Sequence, residues 1–180
     1  LGGLVVRVDW RGQCQQGGCR DVRGGGAEVL ERWGEGPQRV RRLEQVVVNV
    51  VVGNADLHGK NLSLLHREGV VSLAPCYDVM STTALSEDVS TGLGLFVGDA
   101  TDINEVTMGD VAAEGVSWGL RPVSVDAVIG RLLDRMPDAL EAAAATAMPP
   151  DGSFSEQLLD HSGGRLRRAR TNWTTSLGRR

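Results

Sequence analysis

"VVVNVVVGNADLHGKN", Val46–Asn61, decides how this chain folds, because its character changes at a single glycine. Up to Val52 the stretch is valine apart from Asn49; after Gly53, four chemically active side chains follow, Asp56, His58, Lys60 and Asn61. Valine favours strands. The phase argues otherwise: Leu43, Val46, Val47, Val50 and Val51 fall at i, i+3, i+4, i+7 and i+8, one apolar face of a helix. We therefore expect a helix over about 38–52 that stops at Gly53. Asn49 is expected near its edge as an ordinary buried hydrogen-bonding residue. The polar cluster then has two readings, a plain turn after a buried element or a catalytic loop held rigid by it.

Working outward, "GLVVRVD" (3–9) reads as a strand, and the Gly-rich, aperiodic stretch after it as a loop. That stretch lacks both GxGxxG spacing and a GK[ST] ending, so it is no phosphate cradle by pattern. Residues 62–74 read as two short strands around a tight turn, closed by Pro75. Residues 86–105 read as loop, with Gly92, Gly94 and Gly98 around a short apolar stretch. Thr107 with Asp110 resembles a capping box opening a helix over 108–118. Ser124 is expected to cap a second helix whose apolar face runs through Val125, Val128, Ile129, Leu132, Leu133 and Met136. Pro137 is expected to start a third at its first turn, and a last helix covers about 154–170.

At 180 residues the chain is one domain or one lobe, long enough to bury a core. No apolar run approaches the roughly 18–20 residues that span a bilayer, so no membrane partner is expected. A net charge of −4 argues against general nucleic-acid binding. Arg165, Arg167, Arg168, Arg170, Arg179 and Arg180 form a basic run unopposed in sequence, expected to be a solvated face. Cys14, Cys19 and Cys76 have no zinc-ligand spacing, which points to free thiols in a reducing cytoplasm. Of the 19 Lys and Arg residues only Lys60 is a lysine, and it sits inside the polar cluster.

Phosphoryl transfer needs a carboxylate to accept the hydroxyl proton and ligands for Mg²⁺ that bridge the phosphates. Protein kinases place the base Asp and a metal-binding Asn as D-x-x-x-x-N, with a second metal-binding Asp after a short hairpin. Asp56 and Asn61 have that separation, the hairpin at 62–74 follows, and Asp78 comes next in "PCYDV". Each residue alone has a plain explanation. Asp56 suits a turn, Asn61 a strand cap, His58 a backbone contact, Lys60 the solvent and Asp78 a short turn. The common spacing is what those explanations leave out.

"GNADLHGKNLSLL…LAPCYDVMST" resembles the C-terminal region of HipA-type serine/threonine kinases, toxins of toxin–antitoxin pairs, whose signature is similar to N-x-D-x-H-x-K-N followed by L-x-P-x-Y-D-x-x-S. Residues 93–120 also look like the helical C-terminal segment of that family, and the resemblance runs from about Arg41 to Ala143. It implies a mainly α fold with a small β-hairpin, a protein-kinase-like C-lobe of HipA type without its N-lobe. It also implies ATP and Mg²⁺ as cofactors, with Asp56 as base, Asn61 and Asp78 on the metal and cofactor, and His58 and Lys60 ordering the loop or meeting phosphate. The implied partners are a protein substrate of the glutamyl-tRNA synthetase kind and a HipB-like DNA-binding antitoxin, with DNA reached only through the antitoxin.

The expected organisation is a truncated hinge strand and Gly-rich loop over 1–37, a HipA-like catalytic domain over 38–170 and a basic tail over 171–180. Val8-Asp9-Trp10-Arg11 is similar to the family's hinge, but no phosphate-covering loop or ATP-anchoring lysine is found among these residues. The expectation is a fragment or a decaying gene, whose isolated chain transfers phosphate barely at all. Two other classes stay open. One is a non-catalytic binding module that engages an antitoxin or target. The other is a small-molecule phosphotransferase, disfavoured because such enzymes usually carry His where Asn54 stands.

Overall fold

The structure, a computed structural model, describes residues 4–7, 36–67, 70–85, 88–146 and 153–177. The expected hinge at 8–11, the Gly-rich loop after it, Cys14 and Cys19 lie outside the described residues. Strands β1 (Leu4–Arg7), β2 (Ser63–Arg67) and β3 (Val70–Leu73) form one antiparallel sheet in that order. Leu64 sits opposite both Val6 and Leu73. Strands β4 (Gly92–Val97) and β5 (Ala100–Asp102) form a second antiparallel pair. The helices are α1 (Gly36–Val52), the single turn α2 (Thr82–Leu85), α3 (Met108–Ser117), α4 (Pro122–Thr146) and α5 (Ser153–Leu177). The architecture is mainly helical with two small sheets. No described helix is long and apolar enough to cross a membrane.

α1 is the spine. Its face of Leu43, Val46, Val47, Val50 and Val51 is buried against α3, α4 and α5, which contribute Val111, Val125, Ile129, Leu133, Leu166 and Trp173 to one core. Burying a side chain of this size stabilises by about 1.5–3 kcal/mol relative to exposure, which outweighs valine's local preference for strand. α3 begins as its capping box requires: Thr107 Oγ1 accepts from Asp110 N, and Thr107 N donates to Asp110 Oδ2.

Several expectations are corrected. Residues 86–105 are not all loop, since they hold β4 and β5. Glycines hid a strand whose Leu93 and Val97 are buried and whose turn turns left-handed at Gly98 (φ 61°). That turn is anchored by Gly98 N donating to the buried Glu114 Oε1.

Ser124 does not cap a helix and Pro137 does not start one: α4 runs unbroken from Pro122, with Pro137 inside it. Arg121 O takes the first bonds, from Ser124 N and Val125 N, so Pro122 is the first-turn proline. An interior proline removes the bond to the carbonyl four residues earlier and ordinarily breaks the helix. Here that carbonyl, Leu133 O, is taken by Arg170 Nε at 3.1 Å and Nη2 at 2.7 Å. On the same helix Val125, Val128, Ile129, Leu133 and Met136 are buried, whereas Leu132 is only partly so.

The last helix continues past 170 to Leu177, because Trp173 on its inner face belongs to the core. The basic run is no uniform solvated face either: Arg165 is buried.

Candidate active site

The polar cluster begins where α1 ends. Gly53 is left-handed (φ 78°), its N–H donates to Val50 O at 3.3 Å, and Asn54 N donates to Asn49 O at 2.9 Å. These two bonds are a Schellman closure, which satisfies the last carbonyls of the helix and turns the chain sharply. A side chain at Gly53 would collide with the Thr83 hydroxyl and the Arg165 stem.

Asn49, expected as an ordinary hydrogen-bonder, is the first link of a chain. Its Nδ2 donates to Gln45 O (2.8 Å), and its Oδ1 accepts from Asn54 Nδ2 (2.7 Å). Asn54 Oδ1 in turn accepts from Asp56 N at 3.2 Å. Both asparagines are buried while Asp56 is exposed, so a fixed amide network presents a carboxylate to the outside.

The loop is gripped from two further sides. Gly53 O accepts from Thr82 Oγ1 (3.0 Å), Thr83 Oγ1 (3.1 Å) and Thr83 N (3.2 Å), and Ala55 N donates to Thr82 Oγ1 (2.9 Å). On the other side Gly94 N donates to Ala55 O at 3.1 Å. A Cβ on Gly94 would stand 2.8 Å from Leu57 O, so only glycine lets β4 approach this closely.

Residues Gly59–Asn61 form a 3-10 turn. Asn61 is buried, and its Oδ1 accepts from His58 N at 2.8 Å, which fixes the orientation of the amide. Its Nδ2 then donates to Asp78 Oδ2 at 2.8 Å. Asp78 is exposed and holds a left-handed backbone (φ 56°), uncommon for a residue with a side chain and worth about 1 kcal/mol or more of strain. The turn before it is tied down by Tyr77 Oη on the Ser63 hydroxyl at 2.6 Å. α1 holds the approach too: Gln38 Oε1 accepts from Leu73 N and Gln45 Nε2 donates to Ala74 O, both at 2.8 Å.

Of the five candidates, Asn61 and Asp78 are thus in direct contact, and Asp56 lies on the loop that the asparagines hold. His58 is half-buried and contributes its backbone; its Nδ1 is buried without a hydrogen-bond partner among the described residues. Lys60 stands in the 3-10 turn, and its side chain lies outside the described residues. Asn49, Asn54, Thr82, Thr83 and Gly94 were missed as supports. "STTAL" directly after the Asp78 motif was the available signal, since two threonines beside a turn can bond neighbouring backbone.

Helix α5 reaches the same junction. Arg165 donates through Nε (3.1 Å) and Nη2 (3.0 Å) to Val50 O, through Nη2 to Ile103 O (2.9 Å) and through Nη1 to Asn104 Oδ1 (2.7 Å). Burial pushes its pKa down to about 10, helped by Arg168 and opposed by Asp102. It remains a cation at the C-terminus of α1, where the helix dipole favours one. One turn earlier, His161 Nε2 meets the Thr83 hydroxyl at 2.8 Å.

The family model described as the HipA-like C-terminal domain matches residues 25–140. The chain is similar to Y4mE of Sinorhizobium fredii, named as a candidate kinase: 36% identical over 90 residues, 49% of this chain and 20% of that protein. It is also similar to the serine/threonine-protein kinase toxin HipA of Shewanella oneidensis, 30% identical over 108 residues, 60% of this chain and 24% of that one. Among solved structures it resembles a chain in the complex of Shewanella oneidensis HipA, HipB and operator DNA. That match has a TM-score of 0.65 at 26% identity and covers 74% of this chain and 32% of the other. The chain spans between a fifth and a third of the length of these relatives.

Proposed function

The chain belongs to the HipA-like C-terminal domain family, and on that premise we propose that it is the C-lobe of a serine/threonine protein kinase using ATP and Mg²⁺. The observation that carries the reading is the 2.8 Å contact between Asn61 and Asp78, two side chains 17 residues apart brought together beside the Asp56 loop. A plain polar turn would not require it.

The donor chemistry supports Mg²⁺. This ion takes oxygen ligands, typically one or two carboxylates with the remainder supplied by water and phosphate. Asp78 offers a carboxylate and Asn61 an amide oxygen, whose second lone pair is left after the bond from His58 N. When bound, the metal would neutralise charge on the phosphate oxygens. The chain's own work is orientation and proton transfer. Asp56 accepts the proton of the attacking hydroxyl at its carboxylate, and Asn54, backed by Asn49, holds the Asp56 backbone. His58 orders the loop through its backbone, and the role we propose for Lys60 is to meet phosphate.

The likeness to a chain solved with HipB and operator DNA supports a HipB-like antitoxin as partner and a toxin role. A protein hydroxyl is the proposed acceptor, with glutamyl-tRNA synthetase as the first substrate to assay. The decisive experiment measures Mg²⁺-dependent phosphate transfer from ATP by the full-length protein. Removing a general base costs about 10²–10⁴-fold, so Asp56→Asn should fall by that much, and Asp78→Asn should lose its Mg²⁺ dependence as well. Transfer unaffected by both substitutions would overturn the reading.

A further inference from the structure

The loop bearing Asp56 is supported by its own neighbours α1, α2 and β4, but also by an element about 100 residues away in sequence, α5. Two residues of α5 do this, His161 and Arg165, four apart and therefore on one face of the helix. Both converge on the junction at Gly53. Arg165 holds Val50 O, the carbonyl that also closes the Schellman turn. His161 holds Thr83, which holds Gly53 O.

We propose that α5 is a positioning element of the Asp56 loop, acting from outside it through the path His161–Thr83–Gly53 and through Arg165. The functional half of this inference rests on the kinase reading; the structural half does not.

The protons define the path. Thr83 has one hydroxyl hydrogen, and it is used on Gly53 O. With that hydrogen on Gly53 O, the His161 ring donates through Nε2 and Thr83 accepts; in the other tautomer the roles reverse, and the link between the two side chains is kept. Burial, followed by Arg165 and Arg168, holds His161 below its ordinary pKa, in keeping with a neutral ring. The bond is directional, so a side chain with an amide N–H at the same reach can replace the ring and an apolar one cannot.

The loop sits close against this grip. Gly53 is left-handed, and its place against Thr83 Oγ1 and Arg165 leaves no room for a Cβ. A shift of α5 therefore passes to the turn from which Asp56 hangs, three residues on.

The test is amide hydrogen exchange in the full chain, comparing Asn54, Ala55 and Asp56 with amides of α3. Thr83→Val and His161→Leu should speed exchange in the loop by about tenfold or more while leaving α3 unchanged. Thr83→Ser and His161→Gln should restore protection. Equal loosening of loop and α3, or no change in either, would overturn the proposal. So would failure of both conservative variants to rescue. Where transfer from ATP is measurable, the disruptive variants should lower kcat by about ten- to a hundredfold with KM for ATP held, as misplacement of a reacting group does. A loosened loop with kcat unchanged would overturn the functional half. A loosened loop in a protein that never transfers phosphate supports the clamp and sinks the kinase reading, so the two ideas fail separately.

Discussion

Arg170 donates to the one carbonyl that Pro137 deprives of its helical partner. The two residues lie on different helices and are linked through Leu133 O, at 3.1 and 2.7 Å from the guanidinium. A distant side chain thus takes over a backbone bond that the proline ring cannot make. The arginine also reaches Asp134 at 3.9 Å, but both side chains are largely exposed and that pair contributes little.

This arrangement predicts an interaction between two substitutions. Arg170→Ala should destabilise by about 1–2 kcal/mol, since it strands a carbonyl. In a Pro137→Ala background the backbone N–H returns to Leu133 O, and the same Arg170→Ala change should cost markedly less. Denaturant unfolding of the four proteins of the cycle measures it; strictly additive losses would refute the pairing.

Gly53→Ala should cost about 2–4 kcal/mol, from a left-handed backbone and a collision with Thr83 and Arg165. Gly36→Ala is the control, for among the described residues no atom outside its chain neighbours and its own helix backbone stands within 4 Å of the added methyl. A thermal melt in which both substitutions behave alike would show that the junction is less tightly built than described.

Stability should depend on the charge of His161. Its folded pKa is lowered from the ordinary 6.5 by burial first, then by Arg165 and Arg168. The folded state therefore binds the proton more weakly than the unfolded chain. Its contribution is complete above 6.5 and declines as the pH falls through that value towards the folded one. Between about pH 7.5 and about pH 5, wild type should lose more stability in urea than His161→Gln does. Identical slopes would remove His161 from the account.

Asn61→Asp places a second carboxylate beside Asp78, where the amide now donates at 2.8 Å. Like charges so close disfavour joint ionisation. The variant should be destabilised at neutral pH and recover disproportionately on adding Mg²⁺ or Mn²⁺, read as a rise in melting temperature larger than that of wild type. A cation response equal to that of wild type would speak against a divalent site at this pair.

Much of the site was legible because its signals are local. The valine phase named α1, Gly53 named its end, and the spacing of Asp56, Asn61 and Asp78 singled out two residues, Asn61 and Asp78, that the fold brings into contact through the Asn61 amide N–H. The capping box at Thr107 and Asp110 is equally short-range. What could not be read depends on partners far along the chain. Pro137 looked like a helix start because its relief, Arg170, lies 33 residues away on another helix. Arg165 looked like one more surface charge in a basic run, and only the packing of α5 on the end of α1 buries it. β4 was lost to its own glycines, of which Gly94 is present for close approach rather than for a turn.

α1 also acts as a ruler. Gln38, Gln45 and Asn49 are seven and four residues apart, so they project from one side of the helix while the valines face the core. The first two grip the strand that leads to Asp78, and the third grips the loop of Asp56. Each residue advances a helix by about 100°. One residue added or removed between Gln45 and Asn49 would turn one half of the site out of phase with the other, even with every side chain of both halves intact. The count of residues between the two grips is therefore a constraint separate from the identity of the side chains on the core face.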